Sequence, residues 1–277
     1  MGPIEIGLDP VIIYIGHFGL RWYGLGILAA IATGIALTLR EARRKGIGED
    51  VIWGVATWGI IGGLVGARLF HVVDNLDTYL ADPAAILAFQ EGGLSIYGAL
   101  VVGLLAALIE AKRRGWPFMR VLDASAPALI LGQAIGRIGC IVQGDAVGPA
   151  TDLPWGFVYT NPGAMAPALG VPFLPTMVYE MVWDLAIFAF LWIARTRVRA
   201  EGLLFVSYLL LYSLNKFTVS FWRENVILAF GLREAQIVAL VLLAFSVVAY
   251  LALSRRQKVT GPLPATAAEP QGRRERQ

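Results

Sequence analysis

The stretch LILGQAIGRIGCIVQGDAVG, Leu129–Gly148, joins an apolar helix to an arginine, a carboxylate and the only cysteine of the chain. Its first seven residues are typical of a membrane helix, and Arg137, Cys140 and Asp145 follow directly. An arginine within the lipid costs at least about 2.5–3.5 kcal/mol on insertion scales, so it requires a partner. The stretch therefore indicates a membrane helix that ends in a charged site.

The composition agrees with a membrane protein. Hydrophobic residues make up 57% of the chain, charged residues only 16%, and the mean hydropathy is +0.65, whereas about a quarter of the residues are charged in a soluble domain. A single cysteine excludes an internal disulfide or a multi-cysteine metal site. We expect no metal, no other cofactor and no nucleic-acid partner.

Seven apolar runs are long enough to approach the roughly 20 residues that a helix needs to cross a bilayer. The runs cover about 20–39, 52–73, 94–111, 121–142, 176–194, 202–222 and 235–253. We therefore predict an all-α polytopic membrane protein, with one seven-helix transmembrane catalytic domain over residues 1–258.

The distribution of positive charge predicts the orientation. Of the 23 Lys and Arg residues, 17 follow runs 1, 3, 5 and 7 and so lie on one membrane face. The loops predicted on the other face, about 74–93 and 143–175, carry acidic residues and no Lys or Arg. The positive-inside rule then places the N-terminus outside and the C-terminus in the cytoplasm. Residues 259–277 are predicted to form a disordered basic cytoplasmic tail.

Six cations lie instead at the level of the outer leaflet. They are Arg21, Arg68, Arg137, Lys216, Arg223 and Arg233. Some of these cations can pair with protein carboxylates, of which Asp145, Glu180, Glu224 and Glu234 are the candidates, or extend to the lipid headgroups. Glu224 and Glu234 stand directly beside Arg223 and Arg233. For Arg68, Arg137 and Lys216 we expect a shared anion, and a phospholipid phosphate is reachable at that depth.

Other polar residues occur at the same level. Tyr212 and Lys216 are four residues apart and share one helix face, and Glu180 is too costly to face lipid, so it is expected to point into the bundle. Gly62 and Gly66 have the spacing of close helix packing. Cys140 is expected to be a small buried residue rather than a nucleophile.

Together these residues resemble the prolipoprotein diacylglyceryl transferase family of bacterial inner membranes. GRIGCIVQGDAVG is similar to the family signature Gly-Arg-x-x-Asn-x-x-x-Gly-Glu-x-x-Gly. The segments RWYG, GGLSIYG, PTMVYE and YSLNKFTVSFWRE follow in the family's order. The resemblance covers about 10–255 and includes seven spans.

The resemblance implies a transferase that moves the diacylglyceryl group of phosphatidylglycerol onto the lipobox cysteine of a prolipoprotein signal peptide, releasing glycerol phosphate. It implies a multi-pass protein of the bacterial cytoplasmic (inner) membrane, in contact with the lipid bilayer, with its active site toward the outer leaflet. By position, the catalytic set is Arg137, Tyr97, Lys216 and Asp145. The residues expected to bind phosphatidylglycerol are Arg137, Arg68, Tyr23, Tyr212, Lys216, Gly148 and Glu180.

Four positions depart from the family pattern. Tyr97 stands where the family usually has a histidine proposed as base, Cys140 replaces the signature asparagine, and Lys216 replaces an arginine; Leu174 replaces a histidine. With tyrosine at position 97, either the base is dispensable or it lies elsewhere, at Asp145 or His71. The departures also leave open a related enzyme with another substrate or a paralogue that only binds anionic lipid. A transporter is a further alternative, against which the missing internal repeat argues.

Overall fold

The structure is a computed structural model that describes residues 2–16, 18–87, 93–223, 227–229 and 231–259. Within these ranges it is mostly helical. The helices are α1 Trp22–Arg44, α2 Glu49–Asp74, α3 Leu76–Ala81, α4 Ile96–Arg113, α5 Phe118–Gln143, α6 Thr176–Ala194, α7 Leu203–Val219 and α8 Glu234–Val259. Two short 3-10 helices cover Pro83–Leu87 and Ser220–Trp222.

Six helices of the described residues are long and apolar enough to cross a membrane: α1, α2, α5, α6, α8 and the α7 segment Leu203–Trp222. Each coincides with one predicted run. The remaining run corresponds to α4, whose 18 residues include Glu110, Lys112 and Arg113. The chain is therefore a mostly helical, multi-pass membrane protein.

The all-α prediction is wrong for short segments outside the long helices. Strand β1 (Ile4–Ile6) pairs in parallel with β4 (Phe157–Tyr159), and β4 pairs in antiparallel with β5 (Pro172–Phe173). Two hairpins complete the strands of the described residues: β2 (Val11–Ile15) with β3 (Phe18–Arg21), and β6 (Ile227–Ala229) with β7 (Leu232–Arg233). The segment 143–175 is thus tied to the N-terminal residues by a small sheet.

Glycines bring α2 and α4 into backbone contact. A Cβ on Gly66 would lie 2.4 Å from the carbonyl oxygen of Gly98, and a Cβ on Gly98 would lie 2.2 Å from that of Gly66. A Cβ on Gly62 would lie 2.6 Å from Cβ of Ala106. Only glycine permits this approach, so the spacing of Gly62 and Gly66 serves helix packing, as expected.

Buried carboxylates join several helices at the end that is remote from Arg137. Asp123, in α5, accepts hydrogen bonds from the backbone amides of Gly202 at 2.9 Å and Phe205 at 3.0 Å, and so caps the start of α7. Glu41 is 2% exposed and pairs with Arg195 at 3.0 Å. These contacts fix α1, α5, α6 and α7 to one another at the end remote from Arg137.

The predicted tail meets the structure at one residue only. Helix α8 extends to Val259, the first residue of the tail predicted over 259–277. The rest of that segment lies outside the described residues, as does Glu224.

Candidate functional site

Three cations from distant parts of the chain converge on Glu180. Arg137 of α5 and Lys216 of α7 both contact Oε2, with the Lys216 Nζ at 2.9 Å, and the Arg223 Nη1 lies 3.3 Å from Oε1. Glu180 is 1% exposed. It occupies the second turn of α6, since that helix begins at Thr176. The cluster of Arg137, Glu180, Lys216 and Arg223 is called the Glu180 cluster below.

The anion that Arg137 and Lys216 share in this structure is therefore a protein carboxylate. Arg223 pairs with Glu180, while its sequence neighbour Glu224 lies outside the described residues. Three cations around one carboxylate leave an excess of positive charge in a site where a charge is poorly solvated. Such an excess favours a further anion.

A second carboxylate lies one helical turn beyond Glu180. The Asn215 Nδ2 donates a hydrogen bond of 2.8 Å to Oδ1 of Asp184, and both side chains are at most 1% exposed. Asp184 is within electrostatic range of Lys216 and Arg137. The sequence analysis missed this residue, although its i,i+4 spacing from Glu180 places both carboxylates on one face of α6.

Two tyrosines, Tyr212 and Tyr208, lie beside Lys216 of the Glu180 cluster. The Lys216 Nζ lies 5.4 Å from the centre of the Tyr212 ring, which stacks on Tyr208 at 5.8 Å. The Tyr208 hydroxyl accepts a hydrogen bond of 2.8 Å from Gln133. The predicted Tyr212–Lys216 pair therefore forms and is anchored to α5.

The signature segment turns sharply after α5. Gly144 and Ala146 both have positive φ, at 77° and 59°, and the Ala146 carbonyl accepts a hydrogen bond of 2.6 Å from Thr176 at the start of α6. The Gly148 amide donates to the Leu174 carbonyl at 2.8 Å. These bonds hold the segment against the helix that carries Glu180.

Tyr159 supports this turn from the small sheet. Its hydroxyl donates a hydrogen bond of 2.9 Å to the Ile141 carbonyl. Burial, with smaller contributions from the nearby Asp145 and Cys140, raises the pKa of Tyr159 above its ordinary value. The hydroxyl consequently stays protonated and remains a donor at neutral pH.

A cavity of about 230 Å³ adjoins the turn and the Glu180 cluster. It is lined by Gly144, Ala146, Val147, Gly148, Met165, Pro167 and Arg223. Most of this lining is backbone or apolar, and Arg223 supplies its only charged side chain among the described residues. The cavity can therefore accept a small polar group with a negative charge.

Cys140 lies beside the signature arginine. The Arg137 Nη1 is 3.9 Å from its sulfur, and the thiol is 6% exposed. Tyr23 packs on the neighbouring Gly139, whose Cβ position is 3.0 Å from the Tyr23 Cα. Tyr23, Arg137, Cys140 and Asp145 thus lie together, with Tyr23 in electrostatic range of the other three.

Arg68 makes a different set of contacts from the other predicted site residues. Its guanidinium donates to the backbone carbonyls of Ala85, Ile86 and Gly93, the latter two at 2.8 and 3.0 Å. It is 5% exposed and lies 5.2 Å from the centre of the Tyr79 ring. These contacts fasten Ala85, Ile86 and Gly93 to α2.

Tyr97 lies at the beginning of α4 and is 39% exposed. Its side chain interacts with the Glu234 carboxylate at the start of α8. It is also within electrostatic range of Tyr212. Arg233 in turn donates to the Ser220 carbonyl and, through its backbone amide, to Gln236. Glu234 is therefore a neighbour of Tyr97, and the described contacts of Arg233 are with other residues.

Comparison of the sequence with known proteins identifies the family of the chain. The family model for prolipoprotein diacylglyceryl transferase matches residues 10–252. A phosphatidylglycerol–prolipoprotein diacylglyceryl transferase of Trichormus variabilis is 36% identical over 271 residues, covering 94% of each chain. Proteins of the same name from Synechococcus elongatus and Clostridioides difficile are 37% and 34% identical, covering 86% and 91% of this chain and 85% and 98% of their own. The chain therefore belongs to the prolipoprotein diacylglyceryl transferase family.

Proposed function

We propose that the protein transfers the diacylglyceryl group of phosphatidylglycerol to the lipobox cysteine thiol of bacterial prolipoproteins. A thioether forms and glycerol phosphate is released, which is the first step of lipoprotein maturation. Family membership supports the reaction class. The observation that supports the Glu180 cluster as the site of this reaction is the convergence of Arg137, Lys216 and Arg223 on Glu180.

The charge balance of the Glu180 cluster suits a lipid phosphate. Arg137 can offer two parallel donors to phosphate oxygens, and Lys216 a point charge. Both are largely buried, with side chains 17% and 19% exposed, so their attraction to phosphate is less weakened by water. A phosphate that enters the cluster takes up the donors that Glu180 does not use.

The transfer is a substitution at a glyceryl carbon. The acceptor sulfur forms the new C–S bond, the C–O bond to phosphate breaks, and its electron pair remains on the phosphate oxygen. Arg137 and Lys216 stabilise the charge that develops there. The thiol proton passes to a base, for which Asp145 is the candidate among the predicted catalytic residues. Tyr97 contacts Glu234 and can supply a hydrogen bond, but a phenol with a reference pKa near 10 is protonated at neutral pH.

The other predicted residues shape the site. Tyr23 and Tyr212 pack beside Arg137 and Lys216, and Gly148 lines the adjoining cavity. For Arg68 we propose an indirect contribution to phosphatidylglycerol binding, through the segment that it holds near the beginning of α4.

The proposed topology has seven spans, with α4 as the third. Close glycine packing against α2 supports this position for α4, since Gly66 and Gly98 lie in backbone contact. Arg137, Lys216 and Arg223 then lie toward the outer leaflet of the bacterial inner membrane. There the cavity beside Arg223 is open to acceptor peptides.

The function is tested with the purified protein in vesicles of phosphatidylglycerol and a peptide that contains a lipobox. We expect a mass increase of the peptide by one diacylglyceryl group, with loss of its free thiol. Replacing phosphatidylglycerol by phosphatidylcholine is the control for the lipid. Folded protein that yields no thioether at any pH from 6 to 9 would refute the proposal.

A further inference from the structure

Asp184 is a buried carboxylate that the proposed reaction does not use. It lies one turn beyond Glu180 on α6, is 1% exposed and accepts a hydrogen bond of 2.8 Å from Asn215. Lys216 and Arg137 are the cations that face it, and Glu180 is the facing carboxylate. A carboxylate in this position changes the charge of the Glu180 cluster without occupying its donors.

The charges that meet at this site can be counted directly. Arg137, Lys216 and Arg223 supply three positive charges, and Glu180 and Asp184 supply two negative charges. Among the groups that contact Glu180 or face Asp184, the net charge is therefore one positive unit; Asp145, which lies beside Cys140, is outside this set. Without Asp184 this net charge would be two.

Substrate and product of the proposed reaction differ in charge by one unit. The phosphodiester of phosphatidylglycerol carries one negative charge. Once the C–O bond breaks, the released glycerol phosphate is a phosphomonoester, and phosphomonoesters carry nearly two negative charges above a second pKa of about 6. A site with two excess positive charges would retain this product more strongly than the substrate.

We propose that Asp184 is a specificity-determining residue: its negative charge lowers the excess positive charge around the Glu180 cluster and so reduces the advantage that a doubly charged phosphomonoester has over a singly charged phosphodiester. The inference rests on the proposed function, because it assumes that lipid phosphate enters this cluster. The buried Asn215 holds the carboxylate in place. Asp184 thereby opposes retention of the product and assists turnover.

The test compares two soluble probes at pH 8, where the phosphomonoester is doubly charged. Glycerol phosphate represents the product, and glycerophosphoglycerol, a phosphodiester, represents the substrate headgroup. Calorimetry on the full chain in detergent micelles gives the affinity ratio of the two probes. This ratio is insensitive to a general loss of binding, since such a loss affects both probes.

Asp184→Asn removes the negative charge and keeps the shape of the side chain. Asp184→Leu also removes the charge, and it introduces no amide that would need hydrogen-bond partners in the interior. Both are expected to shift the ratio about tenfold toward glycerol phosphate, as one extra unit charge near a partly buried phosphate predicts. Asp184→Glu should keep the wild-type ratio. Glu110→Gln removes another buried carboxylate, which pairs with Arg114 at the far end of α4, and is the matched control.

The outcomes separate this inference from the proposed function. If both probes bind and the ratio stays the same in a folded, charge-free variant, the role of Asp184 is refuted and the phosphate site stands. If Asp184→Glu shifts the ratio as much as Asp184→Asn, the effect is one of shape and the inference is equally refuted. If neither probe binds the wild-type protein, the phosphate site itself is refuted.

Discussion

Gly148→Ala is expected to disable the site through a single added methyl group. A Cβ at this position would lie 2.5 Å from the Trp222 carbonyl oxygen and 2.8 Å from Cγ2 of Thr176. The Trp222 oxygen belongs to the backbone, so it cannot rotate away. The segment must therefore move by roughly half an ångström or more, and Arg223, which follows Trp222 and pairs with Glu180 at 3.3 Å, moves with it.

The size of the effect follows from this overlap. Overpacking of this kind costs about 1–3 kcal/mol of folding free energy, and a misplacement of about 1 Å at a reacting centre can reduce the rate about 10²-fold. We expect kcat/KM for diacylglyceryl transfer to fall by about 10- to 100-fold. The midpoint of thermal unfolding should fall by several degrees.

Gly136→Ala is the matched control, because a Cβ there would have nothing within 4 Å. Gly136 lies in α5, beside Arg137, and alanine favours a helix over glycine by about 1 kcal/mol. Transfer rates in phosphatidylglycerol vesicles and thermal unfolding in micelles are measured for both variants. The reasoning fails if Gly148→Ala matches Gly136→Ala in both measurements.

Substitutions at four further residues test the Glu180 cluster and its surroundings. Arg137→Ala should reduce the transfer rate at least about 10²-fold, because it removes phosphate stabilisation; normal turnover by folded protein would contradict this. Lys216→Met should lose activity while Lys216→Arg retains most of it, and equal rates for the two would show that the charge is dispensable. Cys140→Ala and Cys140→Asn should retain activity in the peptide assay, since the reacting thiol belongs to the substrate; loss with intact folding would indicate a covalent role. Glu180→Ala should lower the free energy of unfolding by about 3–5 kcal/mol, measured by chemical denaturation, because it leaves buried cations without their partner; unchanged stability would show that the ion pairs contribute little.

The helices could be predicted from the sequence because lipid imposes a simple rule of length and apolar content. The prediction is less accurate at the helix ends. The first run was placed at about 20–39, whereas α1 continues to Arg44. Arg43 and Arg44 can remain helical beyond the hydrocarbon, since cations are favourable at a helix C-terminus, and hydropathy does not register this extension.

The strands could not be predicted in the same way. Strand β1 is three residues long and pairs with β4, about 150 residues further along the chain. Such pairing depends on tertiary contacts, and segments this short carry little local pattern. The segment 143–175 runs from the end of α5 to the start of α6, and its prediction as a loop lacked the sheet that connects it to the N-terminal segment.

The six cations that fall outside the basic segments were a useful signal, but their positions in the sequence do not identify their partners. Arg137, Lys216 and Arg223 meet a carboxylate, whereas the described contacts of Arg68 include three backbone carbonyls. A guanidinium satisfies its donors equally well with either type of oxygen. The sequence shows that a charge in lipid is costly and needs a partner. Only the fold shows whether that partner is a carboxylate or a backbone carbonyl.

This difference in partners distinguishes two roles of these cations: Arg68 makes a structural contact, and the cations of the Glu180 cluster form a site suited to an anion. The Arg68 guanidinium holds the backbone carbonyls of Ala85 and Ile86, and loss of these hydrogen bonds would release the backbone there. Such bonds are typical of a fixed structural contact. The Glu180 cluster instead has more positive than negative charge, and its cations come from elements that the signature turn and α6 hold together. A phosphate can enter such a cluster with Glu180 still in place, because the excess charge is what it neutralises. The excess of cations over carboxylates, more than their number, is therefore the property that suits this site to an anionic lipid.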